Sequence, residues 1–394
     1  MPKDDEMTVD ERYKYLRRLH QRYDGADRTT RAKLLDEAEA VTGLHRKYLS
    51  HLMNKPGPIR KPRTHQRGPH YSGQALHAVA VVAEALDWIC AERLQPALRE
   101  MAEHLARFGD LHVTPEVLEE LGAMSVSTVY RMLKRLRQDQ PRLPQRRGRP
   151  ATGLTKEIPA LRLPWDLTEP GHFEVDLVHH CGPETSGDYV YTLQWIDVAT
   201  GWSERVAVFG RSSREMIRGF DRILARCPLP ILEIHPDNGS EFLNRPLLAY
   251  FGERVQGVRI SRSRPWQHND NRFIEQKNST LVRAMLGDIR LDTRAQCALL
   301  NRIYDTCWVY YNLFQPVLRQ QTKRTIQTPE GGWRVQRTQD VAGSPYRRVL
   351  RGGVLSPQAA EDLAAIYEIT NPLALRREIR AQLDELFALA SRSQ

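Results

Sequence analysis

No apolar run in this chain reaches the roughly 18 residues that a membrane span needs, and apolar residues make up 41% of it. No Cys-x-x-Cys pair occurs. The five cysteines (Cys90, Cys181, Cys227, Cys297, Cys307) are scattered without a Cys/His cluster at zinc-finger spacing, so no zinc is expected. They read as reduced, mostly buried thiols of a cytoplasmic protein. The opening "MPKDDEMTVDERYKYL" is charged from the start and shows no secretion signal, and no membrane partner is expected. An acidic excess is missing too. The 58 Lys and Arg outnumber 48 Asp and Glu, giving a net charge of +10 that favours an anionic partner. At 394 residues the chain is too long for one ordinary domain.

Residues 1–54 carry three helical patterns, "VDERYKYLRRLHQRY", "RTTRAKLLDEAEAVTG" and "HRKYLSHLMN", the last two punctuated by Gly43. Two helices joined by a short Gly-containing turn outline a helix-turn-helix. On the third, Tyr48, Leu49 and Leu52 are expected in the core, with Arg46, Lys47 and His51 turned outward as candidate DNA contacts. The Pro-, Gly- and Arg-rich stretch 55–73 reads as a basic linker. Helical patterning returns over 74–140 and ends in "GAMSVSTVYRMLKRLRQD". There Ser125 or Ser127 can cap a helix that buries Val129, Met132, Leu133 and Leu136 and exposes Arg131, Lys134 and Arg135. This is a second helix-turn-helix candidate. A second basic linker, 141–160, contains Arg147-Gly148-Arg149-Pro150, which resembles the core of an AT-hook, an extended Arg-Gly-Arg in a narrow minor groove.

Over 161–292 the texture changes. Short runs rich in Val, Tyr, Trp, Ile and Thr ("HFEVDLVHHC", "DYVYTLQWIDVATGW", "SERVAVFG") predict adjacent strands. A helix follows in "RSSREMIRGFDRILARC", then a strand in "PILEIH", a helix near 243–251, a strand in "VRISRS" and a long helix from about 271 to 286. That alternation predicts a mixed α/β sheet. The remaining 293–394 reads as helical, with Leu375, Ile379, Leu383 and Leu386 on one face of the last helix.

Three carboxylates carry the chemistry. Asp176 lies inside the first strand, on the face opposite Val175 and Leu177. Asp237 ends the fourth strand, where ligands of open α/β sheets collect, and Glu275 lies near the start of the long helix. Oxygen ligands from three separate elements suit hard divalent cations, and two such ions support phosphodiester cleavage and transfer. Asp197 reads as structural, Glu241 as a residue that orients a turn, and Asp270 as a helix cap. Glu174 shares the face of Asp176, either supporting the site or standing as an edge charge, and His179, His180 and His235 flank it. Lys277, Asn278 and Arg283 follow Glu275 on its helix and are candidates for holding a phosphate backbone.

Together, Asp176 in a first strand, Asp237 in "HPDNGSEF" and Glu275 in "NDNRFIEQKN" resemble the Asp-Asp-Glu triad of the retroviral integrase superfamily, most closely the integrase-type transposases of bacterial insertion sequences. The likeness covers about 165–320. It implies an RNase H-like catalytic core between N-terminal helix-turn-helix domains and an α-helical C-terminal region. It implies dependence on Mg²⁺ or Mn²⁺, two ions in all, held by Asp176, Asp237 and Glu275. It further implies hydrolytic nicking at element ends, with the freed 3′-hydroxyl joined to target DNA by a homodimer or higher multimer at the nucleoid. Double-stranded DNA, as terminal repeats and as target, is the expected partner. The His/His/Cys/Cys zinc module of retroviral integrases has no counterpart here. Competing readings are a catalytically inactive or domesticated DNA-binding regulator, and a metal-dependent nuclease without strand transfer.

Overall fold

A computed structural model of the chain describes residues 7, 9–54, 71–136, 143, 168–236, 241–242, 244–261, 272–327 and 333–391. Asp237, the alternative Asp270, and Arg147 and Arg149 of the AT-hook-like motif lie outside them. The chain divides into two compact units, Met1–His70 and Tyr71–Gln394.

The first unit holds α1 (Val9–Asp24), α2 (Arg28–Thr42) and α3 (Arg46–Met53) around Leu16, Leu19, Leu34, Ala38, Leu49 and Met53. Asp27 caps α2 by accepting the Thr30 N–H, and Gly43 ends it in the left-handed region at φ 65°, where a side chain would be strained. Tyr48 corrects an expectation, being 45% exposed. Leu49 and Met53, four residues apart, take the buried face of α3, and Tyr48 falls about 100° away from it.

The second unit begins with α4 (Gly73–Ala85), α5 (Ala91–Leu94), α6 (Leu98–Arg107), α7 (Pro115–Ala123) and α8 (Val126–Leu136). Ser125 caps α8 through the Thr128 N–H, and Val129 and Leu133 are its buried stripe. These helices have no core of their own. Ala78, Val82, Leu98, Leu121 and Val129 belong to one continuous apolar cluster with the sheet residues Phe173, Val175, Leu193, Trp195 and Ile234.

The sheet is mixed, as expected, with β1 (His172–His179), β2 (Val190–Asp197), β3 (Ser203–Phe209), β4 (Glu233–Pro236) and β5 (Arg259–Ile260) in the order β3-β2-β1-β4-β5. β1 to β3 are antiparallel, and β4 and β5 run parallel to β1. Between β3 and β4, α9 (Ser213–Arg226) packs Met216, Phe220 and Ile223 onto the apolar face. Gly219 allows this close approach, because a Cβ there would lie 3.0 Å from both Leu193 and Val208. α10 (Arg245–Arg254) adds Leu247 and Phe251 to the same layer.

The opposite face receives the helical segment that starts with α11 (Arg272–Lys277), widens into a π-helical stretch (Asn278–Arg283) and closes with α12 (Ala284–Leu286). Next comes α13 (Arg294–Val309), continued by a second π-helical stretch, Tyr310–Phe314. This helix covers the free edge of β3 with side chains. Asn301 donates to the Ala207 carbonyl at 2.8 Å and accepts its N–H at 2.9 Å. Asn312 pairs in the same way with Ser203, at 2.9 Å in both directions, and Arg226 donates to the Arg205 carbonyl between them at 2.6 Å. Outward backbone groups at three alternate positions of an edge strand are thereby satisfied and closed to another strand.

The C-terminal region departs from the helical expectation. β6 (Gln320–Gln327) and β7 (Trp333–Gln339) form an antiparallel pair before α14 (Pro345–Gly352), α15 (Pro357–Ile369) and α16 (Pro372–Ser391). Thr322, Ile326, Arg334, Gln336 and Thr338 are exposed, and β6 reads QQTKRTIQ with Ile326 as its one aliphatic residue, so that strand lacks the alternation that marks a half-buried strand. Ile379, Leu383 and Leu386 of α16 are buried against Leu299, Leu300 and Ile303 of α13, closing the bundle as the apolar stripe predicts.

Candidate active site

Side-chain alternation divides β1 sharply. Phe173, Val175 and Leu177 point into the apolar layer, and His172, Glu174 and Asp176 point to the face that α11 covers. Glu174 is 1% exposed and its carboxylate accepts the Ile274 N–H at 2.8 Å, with the Phe273 N–H as a second donor. Those are orphan donors of the first turn of α11, which a carboxylate satisfies best. Burial pushes the Glu174 carboxyl up to about 8, with the two N–H groups working against it and the negative charges of Glu275 and Asp176 adding to it.

Asp176 is half-buried two residues further along. One of its oxygens accepts the Leu177 N–H at 2.8 Å, and the other accepts the side-chain amide of Asn278. Asn278 opens the π-helical stretch, a distortion frequent at functional sites. Two alternate positions on one face of the strand therefore fix two points of one helix, and Glu275 stands exposed between those points. Strand and helix bring Glu174, Asp176 and Glu275 within electrostatic reach of one another. β4 ends at Pro236, whose Cα pairs with Val175, and Asp237 follows it in sequence.

The polar face continues across the sheet. Asp176 pairs in register with Gln194 of β2, and Gln194 with Arg205 of β3, so the three side chains form one row under the helix. Arg205 lies 5.5 Å from the Tyr304 ring centre and 4.9 Å from that of Tyr311. Lys277, half-buried, has its ammonium lowered to about 7, chiefly by desolvation and then by Arg93, Arg205, Arg319 and Arg348. Gln194 and Arg205 sit in strand runs that no sequence motif marks out. An amide and a cation within the mostly apolar strand runs "YTLQWID" and "SERVAVF" are the signal that the sequence offers.

Other expected residues fall as follows. Asn278, expected as a phosphate contact, is 3% exposed and donates its side-chain N–H to Asp176. Arg283 is exposed on the same helix. Arg131, Lys134 and Arg135 are exposed on α8, and Lys47 and His51 on α3, whereas Arg46 is tied to Asp36 and to the Ala32 carbonyl within its own bundle. Asp197 is structural, its oxygens accepting the Gly171 N–H at 2.8 Å and both donors of Thr200 at 2.6 Å. His180 is buried and held down to about 3, foremost by desolvation, and it joins Thr192 at 2.7 Å. His235 meets Ser261 at 2.7 Å, and His179 is exposed.

Asp176 and Glu275 are oxygen donors of the kind that Mg²⁺ and Mn²⁺ prefer. A divalent cation between them would also relieve the repulsion that their charges exert on Glu174. Among the described residues, no group of three or more His, Cys, Asp or Glu side chains is placed to hold a metal; the third expected ligand, Asp237, lies outside them. None of the described helices is long and apolar enough to cross a membrane.

No protein-family model matches the chain. It is 33% identical over 307 residues, 78% of its length and 87% of the relative's, to the uncharacterized protein y4rM of Sinorhizobium fredii (strain NBRC 101917 / NGR234). Among solved structures it is similar to the HTLV-2 integrase catalytic core domain in complex with magnesium (17% identity, 38% of this chain and 91% of that one, TM-score 0.28). It is likewise similar to the BIV integrase catalytic core domain (13%, 46% and 95%, TM-score 0.30). A simian T-cell lymphotropic virus intasome in complex with PP2A regulatory subunit B56 gamma matches at 18% identity, with 46% of this chain, 58% of that one and a TM-score of 0.27.

Proposed function

We propose that this chain, which belongs to the family of the Sinorhizobium fredii protein y4rM, is a DDE-type polynucleotidyl transferase that cuts the ends of a mobile DNA element and joins them to target DNA. One observation carries the reading. Asp176 and Glu275, remote in sequence, are brought to one strand–helix junction, where the hydrogen bonds of Glu174 to Ile274 and of Asn278 to Asp176 set that helix on that strand. The sheet order, antiparallel in its first three strands and parallel beyond, supports an RNase H-like core.

Asp176 and Glu275, with Asp237, would hold one or two Mg²⁺ or Mn²⁺ ions. When bound, such ions supply Lewis-acid activation of a water or 3′-hydroxyl and stabilise the leaving oxygen. The chain's own residues do the positioning. Glu174 anchors the first turn of α11, Asn278 orients one oxygen of Asp176, and Glu275 is left facing solvent, where a phosphodiester can approach. Arg131, Lys134 and Arg135 on α8 supply an exposed cationic face for the duplex. Helix-turn-helix recognition by 1–54 and 74–140, minor-groove contact by Arg147 and Arg149, and pairing of two element ends by a multimer complete the reading.

The experiment mixes the purified protein with the DNA that flanks its own gene, a supercoiled target plasmid and Mg²⁺, and sequences the products beside those of Asp176→Asn. Joined ends from the wild type alone support the transferase. Nicks without joins replace it with a nuclease, and protected but uncut DNA replaces it with a regulator.

A further inference from the structure

We propose that Lys277, Arg319 and Arg205 form a binding site for a phosphate-class oxyanion, with Gln194 in its floor, two residues along the helix from Glu275. Arg205 of β3 donates to the carbonyl of Leu281, four residues after Lys277, Arg319 ahead of β6 packs on the ring of Phe273, four residues before it, and Arg93 of α5 and Arg348 of α14 donate to the Pro316 and Val317 carbonyls just ahead of Arg319, so five cations from distant parts of the sequence converge. A single carboxylate, Asp340, is paired within the group, and it is committed to Arg348 and to the backbone N–H of Arg319. Asp197 reaches Arg319 only through its field, its oxygens being taken by Gly171 and Thr200. Among the described residues, then, Arg93, Arg205, Lys277 and Arg319 have no ion-pair partner.

Counting donors separates clamps from binding groups. Arg93 gives its guanidinium to the Pro316 carbonyl and the Gln315 side chain, and Arg348 gives its two terminal nitrogens to Asp340 and the Val317 carbonyl, leaving only its Nε buried without a partner. These two hold the 315–319 segment in place. Arg205 is 2% exposed and gives one nitrogen to the Leu281 carbonyl at 3.3 Å, leaving Nη2 buried without a partner. Arg319 packs its guanidinium 5.8 Å from the Phe273 ring centre and leaves Nη1 buried without a partner. Gln194, 0% exposed, has a partner at neither amide atom. The Lys277 ammonium makes no hydrogen bond among the described residues. Buried donors that carry charge are costly unless an anion answers them. Guanidinium nitrogens and an ammonium arriving from separate elements suit the several oxygens of a phosphate better than a single acceptor. Lys277 and Arg319 are half-buried, so the cluster reaches the surface.

The anion's source is either a phosphodiester of a nucleic-acid strand or a free phosphate. Choosing the phosphodiester rests on the transferase reading, and the site itself does not. Thermal unfolding of the full chain is followed in inorganic phosphate, in acetate and in chloride at equal ionic strength, for the wild type, Lys277→Met, Arg319→Gln and the charge-keeping Lys277→Arg. Phosphate is expected to raise the wild-type Tm by about 2 °C or more over chloride, to do so in Lys277→Arg, and to lose that effect in Lys277→Met and in Arg319→Gln. Cooperative melting of each variant in chloride shows that it is folded. Affinity for a short duplex is then measured in parallel. A loss of duplex affinity in Lys277→Met and Arg319→Gln identifies the phosphodiester as the source, and unchanged duplex affinity identifies free phosphate. An equal rise with acetate, no rise in the wild type, or a rise retained in both neutralised variants overturns the site. A protein that binds phosphate in this way but never joins DNA overturns the transferase reading and leaves the site standing.

Discussion

The Glu174 carboxylate accepts the backbone N–H of Ile274 at 2.8 Å, so the strand that carries Asp176 also holds the first turn of the helix that carries Glu275. Removing the carboxylate in Glu174→Ala leaves two helix-start donors unanswered and is expected to cost about 1–3 kcal/mol of stability. Denaturant unfolding measures the loss, and faster hydrogen exchange at Phe273 and Ile274 localises it. A change confined to amides outside α11 contradicts the anchoring role.

The same residue predicts a pH dependence. Its carboxyl is raised from 4.5 to about 8 in the folded chain, so the native state holds the proton more tightly than the unfolded one. The stabilisation this confers is fully present below the unfolded value and is lost as pH climbs from there towards about 8. Glu174→Gln, which keeps an acceptor for the helix and cannot ionise, is expected to flatten that decline. Chemical denaturation across this pH range, wild type against variant, is the test, and parallel curves for the two proteins refute it.

Asn301 and Asn312 hold the outward backbone groups of Ala207 and Ser203 on the β3 edge. Replacing either with Ala strips an N–H and a C=O of their partner and is expected to destabilise the second unit by about 1–3 kcal/mol. It also uncovers a strand edge that other chains can pair with. Unfolding midpoints and light scattering on storage are the readouts, and unaltered values in both variants contradict the edge-covering role.

The exposed basic face of α8 carries Arg131, Lys134 and Arg135. Changing all three to Gln should weaken duplex binding and reduce the slope of log affinity against log salt by up to about 3, roughly one for each phosphate contact removed. Far-UV circular dichroism should be unchanged, since none of these side chains is buried. An unaltered salt slope shows that the duplex lies elsewhere.

Much of the site could be read before the structure because its signals are local. An acidic residue on the alternate face of an apolar strand, and another on the first turn of an amphipathic helix, declare themselves by periodicity, and Asp176 and Glu275 lie on such elements. What escaped depends on pairing across strands. The row Asp176–Gln194–Arg205 exists only once register is set, and Glu174 as the anchor of α11 requires contact over a sequence separation of 100 residues. Asn278 reads as a surface residue from its polar neighbours, and only the widened turn of the π-helical stretch accompanies its inward placement. The first strand of the β6–β7 ribbon, QQTKRTIQ, carries no apolar period that would mark it as a strand. Tyr48 was misplaced because a helix of eight residues offers too few turns to fix which face is buried.

The claim that Asp176 and Glu275 belong to one divalent-metal site is tested most directly by Mn²⁺ binding to the full chain, followed by the loss of the free-ion resonance in electron paramagnetic spectra. The wild type is expected to sequester Mn²⁺, and Asp176→Asn and Glu275→Gln each to weaken that binding by at least about tenfold while melting cooperatively. Wild-type affinity retained in both variants would contradict the account.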